Sequence, residues 1–243
     1  MGGPSAADLV RLWEAGTAAS GVERGVLLLA AASAADPSDD LASISLGERD
    51  RRLLTLRERL FGAWLHGVAD CPRCGIRLQF TLDLRDLCVG AAGRLAPPVD
   101  VTDGDLRLRV RPLNSHDLSV IADCGDITLA RRVLAERCVV DVSNAGVPML
   151  PCDLPDSALA TVAAAMAAAD PGSDHVLDLR CEACEERWPL ALDIVMFVWQ
   201  EIESVARRVL TEVHDLAWAY GWGEADILGM TDARRRHYLA LVR

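Results

Sequence analysis

The sequence predicts an α+β fold, mainly helical, in which a small split ribbon of two β-hairpins carries an inserted helical region. Three observations predict it. Residues 71–84, CPRCGIRLQFTLDL, recur in kind as residues 181–194, CEACEERWPLALDI, at a constant offset of 110 positions from 71 to 181. The offset matches Cys71 with Cys181, Cys74 with Cys184, Arg77 with Arg187 and Asp83 with Asp193. Each copy is a C-x-x-C turn followed by an apolar residue at every second position, the period of a half-buried strand. Outside the copies, apolar residues recur at steps of three and four over long stretches, the period of amphipathic helices. Finally, 243 residues with 51% hydrophobic and 25% charged side chains can bury a core without disulfides.

In chain order, residues 1–66 form an N-terminal helical region. Leu9, Val10 and Trp13 mark a short helix from Ala6 to about Gly16, and an apolar segment follows from Gly21. Part of that segment, residues 25–35, imitates a signal peptide, but Asp8, Glu14 and Glu23 precede it where a basic region belongs, so it reads as a buried helix. Asp36-Pro37-Ser38-Asp39-Asp40 is a loop. Ser45, three residues before Glu48, caps a helix over about 47–66. Its apolar stripe is Leu53, Leu56, Leu60, Trp64 and Leu65, and Arg51, Arg52, Arg57 and Arg59 read as a solvated face.

The first ribbon half occupies 67–86, and an inserted strand and helical region runs over 87–174. Cys88–Asp105 is loose, and its Gly90 and Gly93 lack phosphate-loop spacing. Leu106, Leu108 and Val110 alternate with Arg107, Arg109 and Arg111 as a strand that Pro112 ends. Residues 115–170 look helical: Ser115 caps one helix, Asp126 a second through Val133, Leu134 and Val140, and Asp156 an Ala-rich third that Asp170-Pro171-Gly172 stops. The second ribbon half is 175–194. Residues 195–243 hold a long helix from Asp193 to Tyr220 with a stripe of Val198, Ile202, Val205, Val209, Val213, Leu216 and Tyr220. Gly221 ends it, and two short helices follow.

The cysteines carry the chemistry. Cys71, Cys74, Cys181 and Cys184 supply two pairs of soft thiolates, the ligand set of one structural Zn2+ per chain; four ligands leave no open position for catalysis. A redox pair, an iron–sulfur cluster and local disulfides are the alternatives. Cys88, Cys124, Cys138 and Cys152 read as small core residues. His66 and His175 lie near the pairs without being needed as ligands, and Glu182, Glu185 and Glu186 read as solvated turn residues. No G-x-S-x-G, H-E-x-x-H or Walker-type motif occurs, so nothing argues for an enzyme. A net charge of -11 disfavours nucleic acid, whose binding rests on neutralised phosphates. No apolar run reaches the ~18–20 residues that span a bilayer.

The C-terminal stretch YGWGEADILGMTDARRRHYLALV, residues 220–242, adds a resemblance. Tyr220, Gly221, Trp222, Glu224, Ile227, Leu228, Arg234, Arg235, Tyr238 and Leu239 fall as in the T4-type baseplate hub assembly proteins of contractile phage tails and related injection systems. The split C-x-x-C ribbon and the helices around it extend the likeness over most of residues 45–243. The resemblance implies a non-enzymatic assembly factor or structural component of the baseplate hub, in the bacterial cytoplasm or incorporated into a particle, with other baseplate or tail proteins as partners. Trp218, Trp222, Arg234, Arg235 and Tyr238 are the candidate contact residues, because Trp, Tyr and Arg dominate binding hot spots; packing of both tryptophans on the chain's own core is the alternative. Two positions depart from the pattern. Gly223 stands where a hydroxyl cap is expected, and Glu185 follows the second pair where glycine is usual. The rival reading is a zinc-ribbon nucleic-acid or transcription-associated module, which would need a basic face.

Overall fold

Ser5 opens the first helix, α1 (Ala6–Gly16), by accepting the Asp8 N–H while the Asp8 carboxylate returns to the Ser5 N–H, a reciprocal capping box. This computed structural model describes residues 4–32, 39–87 and 97–242. The expected turn at 36–38, the end of the apolar segment at 33–35, Cys88, Gly90 and Gly93 lie outside the described residues. Helix α2 (Gly21–Ala32) buries Leu28 and Leu29 completely. Helix α3 (Leu46–Phe61) starts at Ser45, whose side chain accepts the Glu48 N–H as expected. A second cap comes from across the molecule: the Gly47 N–H donates to Asp170 Oδ2 at 2.8 Å.

Helix α3 stops five residues before the expected end. Gly62 has φ +90°, a conformation that a helix cannot continue and that glycine adopts without penalty. Trp64, Leu65 and His66 therefore belong to strand β1 (Trp64–Asp70), which pairs antiparallel with β2 (Arg77–Asp83). A further correction concerns Arg57, which is 2% exposed instead of solvated. Its Nη2 lies 2.8 Å from Glu201 Oε1, and its Nη1 donates to the Gly62 carbonyl at 2.6 Å.

A short helix α4 (Leu84–Leu87) closes the first hairpin. The inserted region then contains more sheet than the sequence suggested. Strands β3 (Val99–Asp103) and β4 (Leu106–Val110) precede helices α5 (Ser115–Ile121) and α6 (Ile127–Cys138), and strands β5 (Val139–Asn144) and β6 (Val147–Pro148) follow. They form one antiparallel sheet in the order β3-β4-β5-β6. The helix expected through Val140 ends at Cys138, because Val139, Val140 and Val142 are β-branched and pack well on a pleated surface. Val139 and Val142 are buried and Val140 is 55% exposed. Ala145 at φ 49° and Gly146 at φ 84° make the β5–β6 turn, the two positive φ values that a tight hairpin requires.

Two caps differ from expectation. Asn114, not Ser115, caps α5 in a reciprocal box with Asp117. Asp156 lies in a 3-10 turn before α7 (Leu159–Ala169) and caps nothing; its Oδ1 pairs with Arg132 Nη1 at 2.6 Å. Asp126 caps α6 as expected. The insertion has its own core, including Leu108, Val110, Cys138, Val142, Leu154 and Val162. Cys138 is a core residue as read, whereas Cys152 is exposed and Cys124 half-buried, so those two are not.

Strands β7 (Val176–Arg180) and β8 (Arg187–Ala191) form the second hairpin. Asp193 then accepts the Met196 N–H at 2.9 Å and starts α8 (Ile194–Tyr220), which Gly221 ends in the left-handed region at φ 68°. This 27-residue helix, about 40 Å long at 1.5 Å per residue, is the spine of the molecule. Its first half joins Leu28, Leu53, Leu65 and Trp199 in one core. Its second half joins Val10 and the closing helices α9 (Glu224–Leu228) and α10 (Asp232–Val242) in another. Trp199 fills the space over Gly16, where an added Cβ would meet its ring at 2.2 Å. The architecture is thus mixed helix and sheet, and among the described residues no helix is long and apolar enough to cross a membrane.

Candidate metal centre

The two C-x-x-C turns fold identically. In the first, the Gly75 N–H donates to the Cys71 carbonyl at 2.9 Å and the Cys71 N–H to the Ile76 carbonyl at 2.9 Å. In the second, the Glu185 N–H donates to the Cys181 carbonyl at 2.9 Å and the Cys181 N–H to the Glu186 carbonyl at 2.8 Å. The turn needs a left-handed residue after its second cysteine. Gly75 fills that position at φ 72° and Glu185 at φ 62°. Each turn therefore aims two thiols to one side of its hairpin, and the hairpins face each other.

All four sulfurs lie within 4.8 Å of one another. Across the hairpins, Cys71 Sγ lies 3.6 Å from Cys184 Sγ and Cys74 Sγ 3.7 Å from Cys181 Sγ. Cys71 and Cys181 are buried, Cys184 is half-buried and Cys74 is exposed. This arrangement could hold a metal ion. Crowding also splits the thiols' acidities. At Cys71 burial acts to raise the thiol, but the backbone N–H groups of Cys74 and Arg73 and the neighbouring thiols outweigh it and bring it down to about 7. At Cys184 the Glu186 N–H acts to lower the thiol, yet burial and the other three thiols push it up to about 12. One thiolate forms readily and is shared by its neighbours; a full set needs a cation to balance it.

Of the three glutamates expected to be solvated, two are exposed and Glu186 is half-buried. Glu182 and Glu185 are exposed, and Arg73 reaches across to Glu186 at 3.6 Å. His66 is exposed, with Nδ1 3.1 Å from Thr81 Oγ1, and neither His66 nor His175 joins the thiol cluster.

The C-terminal candidates fall into two sets. Trp218 is 87% exposed, so the core alternative fails for it. Trp222 is half-buried, stacked on Tyr220 with centroids 4.5 Å apart and edge-on to Tyr238 at 4.8 Å. Arg234 is exposed and its guanidinium lies 5.8 Å from the Tyr238 ring centroid. Arg235 is different: it is 2% exposed, donating to Glu212 Oε2 at 3.0 Å and to the Met230 carbonyl at 2.8 Å. It is an internal strut between α8 and α10, which removes it from any contact surface. Tyr220, the expected end of the buried stripe, belongs instead to the aromatic cluster; at 38% exposure, its place after the final buried turn is the available signal. Gly223 caps α9 without a side-chain hydrogen bond, as its residue type implied.

In comparison with known proteins, no family model, no curated protein and no solved structure matches this chain.

Proposed function

We propose that Cys71, Cys74, Cys181 and Cys184 hold one structural zinc ion, and that the chain is a non-enzymatic assembly factor or component of the baseplate hub of a contractile tail. The observation that carries the metal half is the sulfur geometry. A tetrahedron with zinc–sulfur arms of about 2.3 Å has edges of about 3.8 Å, close to the 3.6 and 3.7 Å separations of Cys71–Cys184 and Cys74–Cys181. A bound Zn2+ neutralises the crowded thiolates and ties two chain segments together. With four protein sulfurs the shell is closed, so the role is structural.

The assembly half rests on the C-terminal resemblance. The exposed Trp218, the Tyr220–Trp222–Tyr238 stack and Arg234 support it, since aromatic and Arg side chains are the usual anchors of protein interfaces. The net charge of -11 weighs against the nucleic-acid alternative.

Metal analysis of the purified chain tests the first half: one zinc per chain is expected, lost on replacing Cys181→Ser. Co-purification with the other tail proteins of the same system tests the second. Trp218→Ala should weaken that capture while leaving the melting temperature unchanged, because the side chain is 87% exposed. Capture that is insensitive to Trp218→Ala, Trp222→Ala and Arg234→Ala alike would remove this surface from the proposal.

A further inference from the structure

Away from the thiols, a cleft of about 410 Å³ opens where α3, the turn before β7 and the start of α8 meet. Its size is that of a small-molecule pocket, for which about 300–1,000 Å³ is usual. Its polar lining is unusually buried. Arg49 is 8% exposed and Asp50 4%, and Arg49 Nε donates to Asp50 Oδ1 at 2.8 Å. Among the described residues this is the one hydrogen bond that either side chain makes, so Arg49 Nη1 and Nη2 and Asp50 Oδ2 have no protein partner there. His175 also lines it, and its Nε2 is sealed from solvent without a partner among the described residues. Buried polar atoms are nearly always hydrogen-bonded, so the sealed His175 Nε2 and a buried ion pair with unengaged edges, set around one cavity, point to a ligand.

Charge narrows the class. Asp174 and Asp193 line the cleft as well, so a plain anion drawn to Arg49 would also face three carboxylates, and a plain cation would face a buried guanidinium. A molecule carrying both signs meets neither obstacle. Burial raises the Asp50 carboxyl above the usual carboxylate range, against the pull of Arg49; an ammonium group beside it would restore the ionised form.

We infer that this cleft binds an amino-acid-sized zwitterion, its carboxylate on the Arg49 fork and its ammonium on Asp50, with His175 in the wall beside them. Planar bidentate recognition is the chemistry that a free guanidinium edge offers a carboxylate. This site is separate from the thiol tetrad and stands whether or not the assembly reading does.

The test is an NMR titration of the full, metal-loaded chain, following the imidazole signals of His175, which His175→Gln identifies. Glycine and 4-aminobutyrate are the probes; acetate, methylamine and inorganic phosphate carry one sign only. A saturable shift with at least one zwitterion is expected, with affinity at least about tenfold above every single-sign probe. Arg49→Lys keeps the charge but loses the fork and should weaken binding about tenfold or more, as should Asp50→Asn. Phosphate or acetate binding as tightly as the zwitterions would overturn the class, and no saturable shift with either zwitterion would overturn the site. Should the buried variants melt early, the wild-type titration decides alone.

Discussion

Glu185 holds a backbone conformation, φ 62°, that costs an L-residue with a Cβ about 1 kcal/mol or more, while Gly75 holds the equivalent one freely at φ 72°. Among the described residues the only side-chain return is an ion pair with Arg180 at 2.9 Å, with both partners more than half exposed, and such pairs contribute little. Glu185→Gly should therefore stabilise the fold by about 1 kcal/mol and raise the melting temperature by about 2–4 °C. A calorimetric scan showing no rise would mean that the second turn is relaxed in solution. This strain was legible in the sequence because the repeat aligns a glycine with a glutamate. The four clustered thiols were legible for the same reason: C-x-x-C is a local geometry, and two copies supply two facing pairs. Arg57 and Arg235 were not legible. Each meets its carboxylate partner far along the chain, Glu201 and Glu212 respectively, and an Arg on a helix reads the same whether it faces water or a distant acid.

Between elements, buried charge pairs do the joining. Arg235 of α10 and Glu212 of α8 are 2% and 8% exposed, so removing either alone takes from a buried charge its buried partner and leaves only the more exposed Asp232 beside Arg235 or Arg208 beside Glu212. Arg235→Met or Glu212→Gln should each cost about 3 kcal/mol or more, and the double variant less than the sum; additive losses in a urea double-mutant cycle would deny the coupling. Asp117 does the same in the insertion. It is 0% exposed and accepts from Arg111 of the chain after β4 at 2.7 Å and from Arg137 of α6 at 2.9 Å. Burial acts to raise its carboxyl, but the Arg111 bonds and the Asn114 N–H outweigh it and hold it below the ordinary value. A folded-state value depressed below an unfolded one of about 3.9 adds stability that is fully present above pH ~4–5 and lost as pH falls through the folded value. The fall in urea midpoint below pH ~4 should thus be shallower in Asp117→Asn than in the wild type; parallel curves would assign acid sensitivity elsewhere. At this scale α8 was the legible element, since its stripe and its caps, Asp193 and Gly221, agree. Strand β5 was hidden because Val133, Leu134 and Val140 also fit a helical period, and only the tertiary pairing with β4 decides between the two.

Across the whole molecule, the repeat foretold two hairpins, and two hairpins with facing thiols are what it produces. What it could not foretell is that the parts so joined hold separate cores. Leu28, Leu53, Leu65, Trp199 and Ile202 form one that includes hairpin residues Leu65 and Leu177. The inserted sheet and α7 close around another, with Leu108, Val110, Val142 and Val162 each at or below 3% exposure. Such cores arise from long-range packing that no local pattern encodes. Their separation would make loss of the proposed ion a local event. Each C-x-x-C turn continues into a strand of its hairpin, and β8 leads within three residues into α8, so chelation should release both hairpins and the first turns of α8 together. Amide hydrogen exchange after chelation should accordingly rise across Leu65–Val68, Leu177–Leu179 and Ile194–Phe197, with β4 and β5 retaining their protection. The global melting temperature should fall as well, because binding energy that only the folded state collects is folding energy. Exchange that rises equally in β4 and β5 would show that the cores unfold as one unit, and unchanged exchange everywhere would mean that the tetrad holds no stabilising ion.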